Sequence, residues 1–124
     1  MGQVHVLLIE HDWRMGKLIR TNLEASGIHV MQAISARHGV ELLCKGRPDV
    51  ILVDLDRLDM DVAQLVGALP GNAARLVCML SEPPDRQLLE QLGVSACLSK
   101  PFAASALLRH VRQALDQAAA EGNS

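Results

Sequence analysis

Apolar residues gather along this chain in short blocks, and each block is followed by a stretch in which they recur every three or four positions. Val4 to Ile9 is mostly apolar and strand-length, and behind it Met15, Leu18, Ile19 and Leu23 take the spacing of one helix face. Gly27 closes that helix, glycine being the residue that ends helices most readily. Ile28 to Ile34 predicts a second strand, and Ala36, Val40 and Leu43 a second helix, closed by Gly46 and Pro48. Val50 to Val53 is the most hydrophobic strand; apolar side chains on both faces suit a parallel sheet covered by helices, so this strand is predicted to be central. Val62, Leu65, Val66 and Leu69 mark a third helix ending at Pro70 and Gly71, and Leu76 to Leu80 a fourth strand. The next helix is predicted to begin near Pro83 and Pro84, since proline is tolerated in a first turn, with Leu88, Leu89 and Leu92 facing inward. Ala96 to Leu98 is a short fifth strand, and Ala104, Leu108, Val111 and Leu115 space out the last helix.

Five strand-helix alternations predict an α/β fold with a parallel sheet between helices, because each right-handed crossover needs a helix to return the chain. The 124 residues suit one domain, assigned here to 1–118. Residues 119–124 read as a tail or the start of a linker to an output domain, since periodicity fades from Ala118. A chain that is 49% hydrophobic and 21% charged has globular composition, and a net charge of -2 offers no electrostatic basis for direct nucleic-acid binding. No apolar run is long enough for a membrane and Met1 to Gln3 carries no signal-peptide charge block, so the expectation is a cytoplasmic domain. Cys44, Cys78 and Cys97 fit neither a disulfide framework nor a CxxC metal site, and read as buried free thiols.

In an open parallel sheet, functional groups collect at the carboxyl ends of the strands. The predicted strands end in Glu10, His11 and Asp12; in Asp54 and Asp56; in Ser81 and Glu82; and just before Lys100. Each residue taken singly reads equally well as a solvated loop end or, for Lys100, a common ion pair. Together they are the equipment for phosphoryl transfer to an aspartate: a carboxylate acceptor, acids for a divalent cation, and a lysine and a hydroxyl for the phosphoryl oxygens.

Four stretches carry a resemblance: Val6 to Asp12, Pro48 to Asp54, Leu80-Ser81, and Leu98-Ser99-Lys100-Pro101-Phe102. In order and spacing the chain resembles the CheY-like response regulator receiver domains of two-component signalling. The resemblance implies a flavodoxin-like (βα)5 three-layer sandwich with strand order 2-1-3-4-5, regulatory rather than enzymatic, phosphorylated by a histidine kinase or phosphotransfer protein. It implies Asp54 as phosphoacceptor, Ser81 as switch hydroxyl, Lys100 as phosphate-pairing lysine, and Mg2+ held by Glu10, His11, Asp54 and the backbone carbonyl of Asp56. It also implies signalling to an output domain or partner protein through the fourth helix, fifth strand and fifth helix, the face through which such domains homodimerise.

The chain departs from that pattern. His11 replaces an acid, and magnesium prefers oxygen ligands, so binding is expected to be weak. Glu82 follows the switch position where a small residue is usual, Leu58 and Val62 replace a proline and a glycine, and Cys97 takes the place of the rotating aromatic. These changes raise an alternative, a phosphorylation-independent pseudo-receiver acting as an interaction module. Asp54-Leu55-Asp56 also resembles the haloacid-dehalogenase phosphohydrolases, but no acidic pair follows Lys100 to complete that pattern. A flavin-binding module is disfavoured because Glu10-His11-Asp12 would repel a phosphate where such folds place a neutral, amide-rich loop.

Overall fold

Strand β3 (Val50–Asp54) is buried along its whole length, and the sheet is built around it. The computed structural model describes residues 3–69, 75–94 and 96–122, with side chains through 117. β3 lies between β1 (His5–Ile9) and β4 (Leu76–Leu80), with β2 (His29–Ala33) and β5 (Ala96–Ser99) at the edges; all pairs are parallel, in the order β2-β1-β3-β4-β5. The predicted order and the central position of Val50 to Val53 are both observed.

The connecting helices are α1 (Trp13–Glu24), α2 (Ala36–Leu43), α3 (Val62–Ala68), α4 (Arg86–Gln91) and α5 (Ala104–Gly122). Because side chains alternate along a strand, the two faces of the sheet carry two cores. Val6, Leu8, Val50, Leu52, Val77 and Met79 pack with Ile19 and Leu23 of α1 and Leu107 and Val111 of α5. Leu7, Ile9, Ile51, Val53 and Cys78 pack with Ala36 and Leu43 of α2 and Leu65 of α3. The result is the predicted three-layer sandwich. Burying one side chain such as Leu52, wholly inaccessible here, is worth roughly 1.5–3 kcal/mol.

Helix starts are set by side-chain caps. Asp12 accepts the N–H groups of Arg14 and Met15, Ser35 that of His38, and Asp61 forms a reciprocal box with Gln64. Asp85 accepts the N–H of Leu88, so α4 begins at Arg86, after the two prolines rather than upon them. The inward faces also shift. Leu18 and Leu88 point outward, leaving Ile19 and Leu89 as the buried members of their pairs. In α5 the buried stripe is Leu107, Val111 and Ala114, while Ala104 is exposed and Leu108 and Leu115 only flank the core. Neighbours on a helix sit 100° apart, so a leucine pair presents only one member squarely. α5 continues to Gly122, past the point where periodicity fades; Pro70 and Gly71 lie outside the described residues.

Candidate functional site

Register brings the chemistry together. Ile9 lies beside Val53, Asp54 beside Met79 and Leu80 beside Ser99, so Glu10, Asp54, Ser81 and Lys100 leave the sheet along one edge. The Leu55 N–H donates to the Met79 carbonyl at 2.8 Å and the Lys100 N–H to the Leu80 carbonyl at 2.9 Å, extending the ladder to the rim of the pocket.

Asp54 is 3% exposed. Its Oδ1 accepts from Lys100 Nζ at 2.8 Å and from the Asp56 N–H at 2.9 Å. Lys100 Nζ also donates to Asp56 Oδ2 at 3.1 Å. Partial burial alone would pull the Lys100 ammonium down, but its bonds to the two carboxylates hold it above the usual lysine range. Ser81 meets the same acid twice: its N–H donates to Asp56 Oδ1 at 3.2 Å and its hydroxyl to Oδ2 at 2.7 Å. Burial works against the Asp56 carboxylate, yet the donors from Ser81 and Lys100 outweigh it and hold the group below the usual range.

On the other side of Asp54 stands Glu10, 1% exposed. Its backbone is clamped, its N–H donating to the Ala33 carbonyl at 2.9 Å and its carbonyl accepting from Gln32 Nε2 at 3.0 Å. Gly16 makes room for that amide, since a Cβ there would collide with the end of the Gln32 side chain. Glu10 Oε2 accepts the Asp12 N–H at 3.3 Å and lies 3.3 Å from His11 Nδ1, while Oε1 is buried without a partner. Burial, and then the neighbouring Asp54 carboxylate, push Glu10 up to about 7. His11 is exposed, and its Nδ1 stands 3.9 Å from Asp54 Oδ2.

Ligand atoms of Glu10, His11 and Asp54 lie within 4.8 Å of one another. The orphaned Oε1 and the two carboxylates suit a hard divalent cation, whereas the imidazole nitrogen does not. The donor set therefore fits magnesium at two of its three positions.

The family model for the response regulator receiver domain matches residues 6–112. The chain belongs to this family. Among curated relatives, the transcriptional regulatory protein GlrR of Escherichia coli is 30% identical over 119 residues, covering 93% of this chain and 27% of the relative. The KDP operon transcriptional regulatory protein KdpE of Escherichia coli is 31% identical over 114 residues, covering 90% and 51%. The chain thus spans about a quarter to a half of the length of these relatives. A CheY-like receiver domain from Methanospirillum hungatei superposes with a TM-score of 0.83 at 19% identity, covering 97% of this chain and 99% of that one. The chemotaxis response regulator CheY4 of Vibrio cholerae gives 0.79 at 22% identity, covering 92% and 100%.

As a receiver domain of two-component signalling, this chain places Glu10, His11, Asp54, Asp56, Ser81 and Lys100 in one pocket. Cys97 is not there. It faces the second core beside Cys78, its register partner on β4. It is only partly buried, and Cys44 is exposed, so of the three free thiols expected to be buried only Cys78 is. A hydrogen bond from Cys78 and the nearby Arg86 charge bring Cys97 down to about 7 against the opposing effect of burial. Glu82 is exposed and takes no part in the pocket's hydrogen bonds among the described residues. Sequence reasoning placed Asp56 among the strand-end acids and gave its carbonyl to the metal, but missed that its carboxylate engages Ser81 and Lys100. It also missed Asp59, whose carboxylate accepts the N–H groups of Ala36 and Arg37 and ties the β3–α3 loop to α2; no pattern in the sequence marks that contact.

Among the described residues no helix is long and apolar enough to cross a membrane.

Proposed function

We propose that Asp54 is the phosphoacceptor of this receiver domain, and that the domain acts as a regulated switch, not a hydrolase. The observation that carries the reading is a buried carboxylate at the end of the central strand with Lys100 Nζ 2.8 Å from its Oδ1. A carboxylate oxygen of Asp54 attacks the phosphorus of a kinase or phosphotransfer phosphohistidine, the N–P bond breaks, and the histidine leaves, giving an acyl phosphate. Lys100 and Ser81 bind the transferred oxygens. Glu10, Asp54 and the Asp56 carbonyl would hold Mg2+, which when bound would supply positive charge to offset that of the phosphoryl oxygens; His11 would weaken that binding. Asp56 is spoken for by Ser81 and Lys100 and held ionised, which argues against the acid/base role of a phosphohydrolase.

The outward signal passes through α4, β5 and α5 to an output domain, a partner protein or a second copy. With residues 1–118 as the receiver, 119–124, of which 119–122 belong to helix α5 (Ala104–Gly122), lead toward such a domain, in keeping with relatives about two to four times as long. One observation favours a second reading, the phosphorylation-independent module: an imidazole stands where the metal needs an oxygen.

Intact mass after incubation with acetyl phosphate and magnesium decides between them, with Asp54→Asn as control. A phospho-adduct missing from the control supports the switch. No adduct in folded protein supports the interaction module.

A further inference from the structure

The Asp56 carboxylate is held by three donors, the Ser81 N–H at 3.2 Å, the Ser81 hydroxyl at 2.7 Å and Lys100 Nζ at 3.1 Å. The hydroxyl and the ammonium are the groups to which the proposed function assigns the phosphoryl oxygens. A carboxylate and a phosphoryl group present the same thing to them: closely spaced anionic oxygens that accept charge-assisted hydrogen bonds.

The loop holds Asp56 firmly in this place. Its N–H is fastened to Asp54 Oδ1 at 2.9 Å. The next residue, Arg57, turns the chain at φ 60, a left-handed conformation rarely taken by residues other than glycine. Two residues further on, Asp59 anchors the loop to the start of α2. Such over-determined backbone is what keeps an unfavourable φ in place.

We propose that the Asp56 carboxylate is an internal stand-in for the phosphoryl group, engaging Ser81 and Lys100 in the unmodified chain and competing with a phosphoryl group on Asp54 for them. The proposal rests on the reading of Ser81 and Lys100 given above. Its consequence is twofold. The unmodified chain already holds its switch hydroxyl and lysine drawn together, and phosphorylation of Asp54 must displace one anion by another. A ligand shifts an equilibrium only by its differential affinity for the two states, so a site already satisfied from within responds less to phosphorylation than one left open.

The test compares the whole chain with Asp56→Asn and Asp56→Ala, following phospho-adduct formation from acetyl phosphate and magnesium by intact mass and the Ser81 amide and Lys100 ammonium by NMR. Removing the competing charge is expected to speed adduct formation about tenfold, the equivalent of one charge-assisted contact. In the unmodified protein both variants move the Ser81 and Lys100 resonances, and phosphorylation then moves Ser81 further in Asp56→Ala than in the parent chain. Phospho-adduct formed at equal, measurable rates in all three proteins, or Ser81 and Lys100 resonances unchanged by either substitution, overturns the proposal. If none of the three takes up phosphate while Asp56→Ala still shifts both resonances, the phosphoacceptor role of Asp54 falls and the internal engagement of Ser81 and Lys100 stands.

Discussion

On one side of Asp54, Lys100, Ser81 and Asp56 close on one another with contacts of 2.7 to 3.2 Å. On the other, Glu10 keeps a buried oxygen without any donor and leans on an exposed imidazole 3.3 Å away. The two sides share a carboxylate and a sheet edge, yet the first is complete within the chain and the second is left needing a proton or a cation. The difference shows what buried charge requires: an acid is tolerated where ammonium and hydroxyl donors surround it, and its pKa climbs where they do not.

The largest expected effect comes from removing what the two sides share. Asp54→Asn should abolish the phospho-adduct, and an adduct persisting in that variant would place the acceptor elsewhere. Next is Glu10→Gln in chelated buffer. The Glu10 carboxyl rises from 4.5 to about 7 on folding, so its stabilising contribution is full below the unfolded value and is lost as pH climbs through the folded one. Glutamine keeps the neutral form throughout. The variant should match the parent chain near pH 4.5 and exceed it by on the order of 3 kcal/mol above about pH 8. Equal stability in denaturant melts at both pH values would mean that Glu10 is not strained by its burial.

His11→Asp sharpens the comparison by giving the incomplete side a third oxygen donor. Magnesium affinity, followed through the single tryptophan, Trp13, two positions away, should rise about tenfold or more; an unchanged affinity would clear His11 of weakening the site. The smallest effect belongs to Glu82→Ala. An exposed acid outside the pocket's hydrogen bonds should change the phosphorylation rate less than about threefold, because solvent screens it. A change as large as that expected for Asp56→Asn would move the competing charge from Asp56 to Glu82.

Much of the fold was legible because each element needed only local information. The apolar block of Val50 to Val53 forced a strand covered on both faces, and alternation with helices forced parallel crossovers. Helix faces were legible less sharply: Leu18 and Leu88 sit next to the true core positions, and only the neighbouring helix and sheet decide which leucine of a pair faces in. For the site, strand-end position was enough to gather Glu10, Asp54, Ser81 and Lys100, since an open sheet collects its loops at one edge.

By itself, then, the order of apolar and polar residues determined the sheet, its central strand and which polar groups meet, because period and strand-end position are properties of the chain alone. Tertiary structure decided what those groups do to one another. That Asp56 turns its carboxylate onto Ser81 and Lys100, that Glu10 is left with an unpartnered oxygen, and that Cys97 stands beside Cys78 depend on angstrom-scale distances between strands remote in sequence. Hydrogen bonds and pKa values respond to those distances, and no spacing along the chain encodes them.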